Sequence, residues 1–260
     1  MPAGLWKQVR RAPHRLLMMD YDGTLAPFRI EREEATPLPR SIELLHEVAR
    51  HHATTVAIIS GRPLEELERL VGPLPAELFG EHGAERRMPD GSVQRRPLSA
   101  HAAAALDDAA RAATAEGWAD LIERKRFSVV IHTRGLPRQE VQRIESRAVE
   151  LWGRAEIDGE VTVGRFNGGV ELRARGRDKG TAVMALAAQV PAGAFPVFVG
   201  DDVTDEDAFE VVRPWGYGIR VGGVERASHA VARLPSPDAV TAFLEDWLEA
   251  TAPEPEPPRA

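Results

Sequence analysis

Leu16-Leu17-Met18-Met19-Asp20-Tyr21-Asp22-Gly23-Thr24-Leu25-Ala26-Pro27 decides the fold, because an apolar run gives way to two carboxylates two residues apart. A short unbroken apolar run reads as a strand buried on both faces of a parallel sheet. Side chains at i and i+2 leave a strand on one side, so Asp20 and Asp22 aim the same way. The pattern recurs where Phe195-Pro196-Val197-Phe198-Val199 runs into Gly200-Asp201-Asp202-Val203-Thr204-Asp205-Glu206-Asp207. Both acidic groups therefore belong at strand C-termini, the edge where open α/β sheets bind ligands.

Working outward, Ile42, Leu44, Leu45, Val48 and Ala49 keep helical spacing within 41–52, and the strand-like run 54–60 follows, which makes a β-α-β unit. Pro63 opens a helix over 64–71, since its missing N–H is harmless in a first turn. A short strand at 77–80 ends at Glu81-His82-Gly83, and Pro89-Asp90-Gly91 reads as a hairpin turn. An Ala-rich helix spans 99–116 and stops at Gly117; a strand at 127–133, a helix at 137–152 and strands at 156–163 and 169–173 follow. Helices at 181–189, 206–212 and 238–250 then alternate with strands at 195–199 and 217–221. Alternation of this kind predicts an α/β fold: a doubly wound, Rossmann-like parallel sheet core over 13–97 and 168–250, with an inserted smaller α/β cap at 98–167. The Pro/Glu-rich stretch 251–260 is expected to be a disordered tail. Trp118, Trp152, Trp215 and Trp247 are expected to pack inside, and His51 and His52 to face solvent.

Composition narrows the function. A chain of 260 residues, 43% hydrophobic, can build one full core with a smaller inserted domain. Its net charge of −7 argues against a nucleic-acid partner. The absence of cysteine excludes disulfides, thiolate metal sites and cysteine nucleophiles. No segment is apolar enough for a signal peptide or membrane span, so a soluble, cytoplasmic monomer that needs no membrane is expected. Arg is the usual cation, while Lys occurs only at Lys7, Lys125 and Lys179. A compact ammonium suits a phosphoryl group, so the surviving lysines mark candidate sites.

In chain order, Asp20-x-Asp22-Gly23-Thr24, Ser60 at a strand end, Lys179 at a helix start and Asp201-Asp202 with Asp205 sit at four βα junctions, as a phosphoryl-transfer site requires. An EF-hand reading of Asp20 fails although Glu31 stands at the twelfth position, because Gly23 is misplaced and Pro27 intrudes. Gly176-Arg177-Asp178-Lys179-Gly180-Thr181 is no P-loop, its Lys preceding the Gly. The four motifs resemble those of the haloacid dehalogenase superfamily of phosphatases. That resemblance implies Asp20 as nucleophile, forming an aspartyl-phosphate, and Asp22 as the acid that protonates the leaving oxygen and then activates water. It implies Mg²⁺ held by Asp20, the Asp22 carbonyl and Asp201, with Asp202 and Asp205 supporting them. Ser60 and Lys179 would hold the remaining phosphoryl oxygens.

A narrower resemblance lies in Glu81-His82-Gly83, Glu123-x-Lys125 with His132-x-Arg134, and Glu171 ahead of Lys179. These are similar to the signature of trehalose-6-phosphate phosphatases over roughly 14–248, with Thr133 and Ala174 as departures where Tyr and Pro are common. The likeness implies that Glu123, Lys125, Arg134 and Glu171 grip a disaccharide, while Glu81, His82 and Gly83 lie near the cap hinge and phosphate mouth. His132 is read as a hydrogen-bonded structural residue. The expected function is a Mg²⁺-dependent phosphatase of trehalose 6-phosphate. Its alternatives are a phosphatase of sucrose phosphate or of mannosyl- or glucosyl-3-phosphoglycerate, or a catalytically silent sugar-phosphate sensor. Association with a separate trehalose-6-phosphate synthase stays open.

Overall fold

A short helix, α1 (Leu5–Arg11), turns Leu5 and Val9 inward and leads into β1 (Arg15–Met19), every residue of which is buried. The structure is a computed structural model that describes residues 1–2, 4–30, 32–50, 53–223 and 226–252. Glu31, His51, His52 and most of the expected tail, 253–260, lie outside the described residues. Two crossovers lead on from β1, through α2 (Pro39–Ala49) to β2 (Thr54–Ile59) and through α3 (Leu64–Val71) to β3 (Glu77–Gly80). A hairpin, β4 (Glu85–Arg87) and β5 (Val93–Arg95), turns at Pro89-Asp90-Gly91. The second unit holds α4 (Ala100–Ala115), β6 (Ile122–Arg124), β7 (Ser128–His132), α5 (Arg138–Gly153), β8 (Val161–Phe166) and β9 (Gly169–Ala174). The chain returns through α6 (Lys179–Ala187), β10 (Phe195–Gly200), α7 (Glu206–Val212), β11 (Tyr217–Val221), β12 (Ala232–Leu234) and α8 (Pro237–Thr251).

The eight-stranded sheet runs β12-β11-β10-β1-β2-β3-β4-β5, parallel from β12 to β3 and antiparallel across the β4 and β5 hairpin. The strand period of two divides its apolar residues between two cores. Leu17, Met19, Val56, Ile58, Val197 and Val199 pack with residues of α1, α2, α3 and α8. Leu16, Met18, Ala57, Ile59 and Phe198 pack with α6 and α7 on the opposite face. This is the expected doubly wound core, and it explains why β1 shows no polar alternation.

The smaller sheet, β6-β7-β9-β8, is antiparallel throughout. One face carries Val129, Ile131, Val170 and Leu172 onto α4 and α5. Alternation therefore points Val130, His132 and Glu171 toward the core unit, where all three line a shared cavity. The expected cap boundary at 167/168 is corrected: β9 pairs with β7 on one side and β8 on the other, so the cap sheet extends through Ala174.

Other departures have local causes. The strand expected over 156–163 starts later, because Arg154–Asp158 winds into a 3-10 turn and β8 begins at Val161. α1 and β12 were not anticipated; at seven and three residues they offer too little periodicity to read. Trp118, Trp152 and Trp247 are buried as expected, whereas Trp215 is 41% exposed and hydrogen-bonds the Val211 carbonyl. Among the described residues, no helix is long and apolar enough to cross a membrane.

Candidate active site

Register brings the acidic motifs together. β1 lies between β2 and β10, with Met19 opposite Ile58 and Val199, so the residues after all three strands emerge side by side. The Asp20 N–H completes this alignment by donating to the Val199 carbonyl at 2.8 Å. Gly23 follows with φ +78°, and a Cβ there would stand 2.5 Å from Asp201 Oδ2. Only glycine lets the loop after β1 turn and the loop after β10 close upon it.

Lys179 arrives from the opposite side of the sheet. Asp178 caps α6, its carboxylate accepting the Thr181 N–H at 2.7 Å, which makes Lys179 the first helical residue. Its Nζ donates to Asp20 Oδ1 at 2.5 Å and to Asp205 Oδ1 at 2.6 Å, with all three side chains buried. Asp205 in turn accepts the N–H groups of Asp201 and Asp202 on Oδ2, each at 2.8 Å, and so holds the acidic loop in shape.

Negative charge outweighs the lysine. Burial pushes Asp20 up to about 7 against the pull of Lys179, with Asp205 and Asp22 adding to the rise. Burial also raises Asp201, and Asp20 and Asp205 raise it further. Burial alone would lower Lys179, but Asp20 and Asp205 hold it above its ordinary value. One carboxylate oxygen from each of Asp20, Asp201 and Asp205 lies within 4.8 Å of the others, and Asp201 Oδ1 is buried without a hydrogen-bond partner among the described residues. A hard divalent cation fits that donor set. Asp205, expected only to support the ligands, stands in this grouping beside Asp20 and Asp201.

Asp22 is turned instead to Arg62, which grips both its oxygens at 2.8 and 2.7 Å. Arg62 is 1% exposed, also pairs with Glu66, and lies over the Tyr21 ring with 5.2 Å to the centroid. Sequence reading missed this residue, because Pro63 drew attention to the helix start and away from a cation directly after a strand end. Ser60 is buried, and its hydroxyl accepts the Arg62 N–H at 3.1 Å; it is not part of the cavity wall.

The cavity lies between the two sheets, with Asp20, Asp22, Lys179 and Asp201 on one side and Lys125, Glu171, His132 and Arg134 on the other. Glu123, Val130 and Glu171 stand in one row across β6, β7 and β9. Lys125, in the turn after β6, reaches the Gly61 carbonyl at 3.0 Å and Glu171 at 3.8 Å. His82 Nε2 meets Glu171 Oε2 at 2.9 Å. Burial pushes the imidazole down, and the Glu171 carboxylate pulls it back up in part. Burial would raise Glu171, yet His82 and Lys125 draw it below the usual carboxylate range. Its Oε1 is buried without a hydrogen-bond partner among the described residues, an acceptor open to a ligand hydroxyl.

The remaining expected residues take other places. Glu123 is not in the cavity wall and bonds His132 Nε2 at 2.8 Å, which bears out His132 as hydrogen-bonded. Arg134 lines the wall but stacks on Phe28, 4.1 Å from the ring centroid, and donates to the Asn167 carbonyl. Glu81 accepts the N–H groups of Arg126 and Phe127 at 3.1 and 2.8 Å and lies outside the wall. Gly83 is a packing residue rather than a ligand contact, since a Cβ there would stand 2.8 Å from Ala182 of α6. Asp202 caps the turn after β10 through Oδ1 and accepts the Asn167 N–H on Oδ2 at 2.7 Å.

The sequence profile of the trehalose-phosphatase family matches residues 18–238. The chain belongs to that family. A probable trehalose-phosphate phosphatase of Sinorhizobium fredii is 35% identical over 237 residues, 88% of this chain and 85% of that protein. A trehalose-phosphate phosphatase of Mycobacterium marinum is 34% identical over 246 residues, 89% of this chain but only 60% of that relative's length. Among solved structures, the C-terminal domain of Candida albicans trehalose-6-phosphate phosphatase shares the fold with TM-score 0.81 at 23% identity, covering 94% of each chain. Aspergillus fumigatus trehalose-6-phosphate phosphatase matches with TM-score 0.70 at 27% identity, covering 96% of this chain and 97% of that one. As a trehalose-phosphatase family member the chain is a phosphatase, a hydrolase of phosphoric monoesters.

Proposed function

We propose that the chain hydrolyses trehalose 6-phosphate to trehalose and inorganic phosphate through an aspartyl-phosphate on Asp20. The observation that carries this reading is the joining of two unlike half-sites in one cavity. A buried Asp20–Lys179–Asp205 cluster faces Lys125 and Glu171. The first suits a phosphoryl group, and the second suits vicinal hydroxyls.

An Asp20 oxygen attacks phosphorus in line, and the bond from phosphorus to the sugar oxygen breaks. Asp22 gives up part of its Arg62 pairing and delivers a proton to the departing oxygen; it then takes one from the water that cleaves the acyl phosphate. Lys179 holds a phosphoryl oxygen throughout and loses no contact with Asp205 in doing so. Ser60 would offer its hydroxyl proton to another oxygen. A divalent cation of the magnesium type, held by Asp20 and Asp201 with the Asp22 carbonyl, would offset the charge of three carboxylates and a phosphate. Glu171, Lys125 and Arg134 would bind sugar hydroxyls, with Glu123 behind them orienting His132 and Lys125.

Phosphate release from a panel of trehalose, sucrose, mannosylglycerate and glucosylglycerate phosphates tests the substrate. Trehalose 6-phosphate is expected to give the highest kcat/KM, and equal turnover across the panel would overturn the assignment. Asp20→Asn is expected to lose roughly 10⁴-fold in kcat, and chelation of divalent cations to stop wild-type turnover until Mg²⁺ is restored. A monomeric, cytoplasmic setting belongs to the same proposal, as does pairing with a trehalose-6-phosphate synthase. Sedimentation of the chain alone and with a synthase tests both the monomer and the pairing.

A further inference from the structure

At two turns of the cap a carboxylate of the core accepts backbone N–H from the cap. At one end Glu81 takes the N–H groups of Arg126 and Phe127. Glu81 is 3% exposed, and the turn it grips is tied to the chain's return into the core. The Ala174 N–H donates to the Phe127 carbonyl at 2.9 Å, and Arg177 lies 5.2 Å from the Phe127 ring centroid. At the other end of β9, Asp202 takes the Asn167 N–H at 2.7 Å, and the Asp202 side chain keeps 15% of its surface in solvent. The Asn167 carbonyl is held by Arg134, which rests on Phe28 of the loop that follows the nucleophile. Phe166, Asn167 and Gly168 line the cavity.

We propose that Asp202 is a positioning residue, a latch that fixes the β8–β9 turn over the cavity mouth, while Glu81 pins the opposite end as a pivot. The pivot is buried and doubly bonded. The latch is single, partly wet, and built on the residue next to Asp201. Releasing it frees the end of β9 farther from the return to the core, the direction in which a bulky sugar must enter and leave. Because Asp202 caps its own turn through the other oxygen, the latch joins the shape of the acidic loop to the position of the cavity wall. The inference rests on the reading that a sugar lies against that wall.

Two variants test it from both sides of the bond. Asp202→Ser keeps a hydroxyl able to cap Val203 but withdraws the second oxygen. Asn167→Pro removes only the donor: Asn167 stands first in the two-residue turn that joins Phe166 to Gly169 and precedes Gly168 with φ +123°, a turn position that favours proline. In Asp202→Ser, amide exchange at 166–168 is expected to quicken at least about tenfold while exchange at Arg126 and Phe127 holds. In both variants the ratio of kcat/KM for trehalose 6-phosphate to that for phenyl phosphate is expected to fall about tenfold, mainly through KM. Unchanged exchange at the turn, an unchanged ratio, or equal losses on both substrates overturns the latch. If Asp202→Ser does not fold, Asn167→Pro decides through the substrate ratio, its acidic loop being intact. If wild type leaves trehalose 6-phosphate untouched, the substrate reading fails alone, and the exchange measurement still decides the latch.

Discussion

The two walls of the cavity are built on different principles. On the core side, side chains leave the ends of parallel strands locked in register, and Lys179 is fixed at the first position of a capped helix. On the cap side, Lys125 and Arg134 come from turns, while Val130, His132 and Glu171 project from strands of an antiparallel sheet. The first wall is charged and tied together by its own hydrogen bonds, with Asp201 Oδ1 left without a partner among the described residues. The second has an acceptor to spare at Glu171 Oε1. On the proposed function, the chemistry falls to the wall built on strand ends and the recognition of a particular alcohol to the wall built partly on turns.

The contrast breaks first at Lys179. Lys179→Met leaves Asp20, Asp201 and Asp205 facing one another without their cation, which should cost roughly 10³-fold in kcat and about 3–5 kcal/mol of stability. Thermal unfolding checks the sign, because protonation of the acids should make the Tm deficit smaller at pH 5 than at pH 7. An equal deficit at both values would mean the lysine stabilises by packing alone. Glu171→Gln should act on the other wall, raising KM for trehalose 6-phosphate about tenfold while kcat moves less than about threefold, the value of a charge-assisted hydrogen bond. A fall in kcat matching that of Lys179→Met would merge the two walls into one.

A third effect concerns the join between them. Burial lifts the Glu81 carboxyl to about 7 although it accepts two backbone N–H groups. A folded value above the unfolded one gives stability that is present in full below about 4.5 and lost as pH rises through about 7, a change of up to about 3 kcal/mol. Tm measured from pH 5 to 8 should therefore fall more steeply for wild type than for Glu81→Gln. Parallel curves would show that the carboxyl is already ionised at pH 5.

The core wall was legible because its signals are local. An apolar run ending in Asp20-x-Asp22 announces both the strand and the direction of its acids, and Gly23 marks the close approach of the acidic loop. The cap helices were legible for the same reason, since Ser99 caps α4 where the Ala-rich run begins. The cap sheet was harder, because Gly169–Ala174 reads equally well as a strand of either unit, and only its pairing with β7 and β8 assigns it. Arg62 and Asp202 show the limit most clearly. Their partners, Asp22 and Asn167, lie 40 and 35 residues away, and nothing in either local pattern names them.

Thirty-three basic residues include only three lysines, and two of these are sealed at the site: Lys179 is 2% exposed and the Lys125 side chain 7%. Lys7 alone among them stands in solvent. An amine-directed reagent therefore meets Lys7 and is shut out from the two lysines of the site, so tethering through Lys7 to an activated support should fix the orientation of the protein and leave the cavity free.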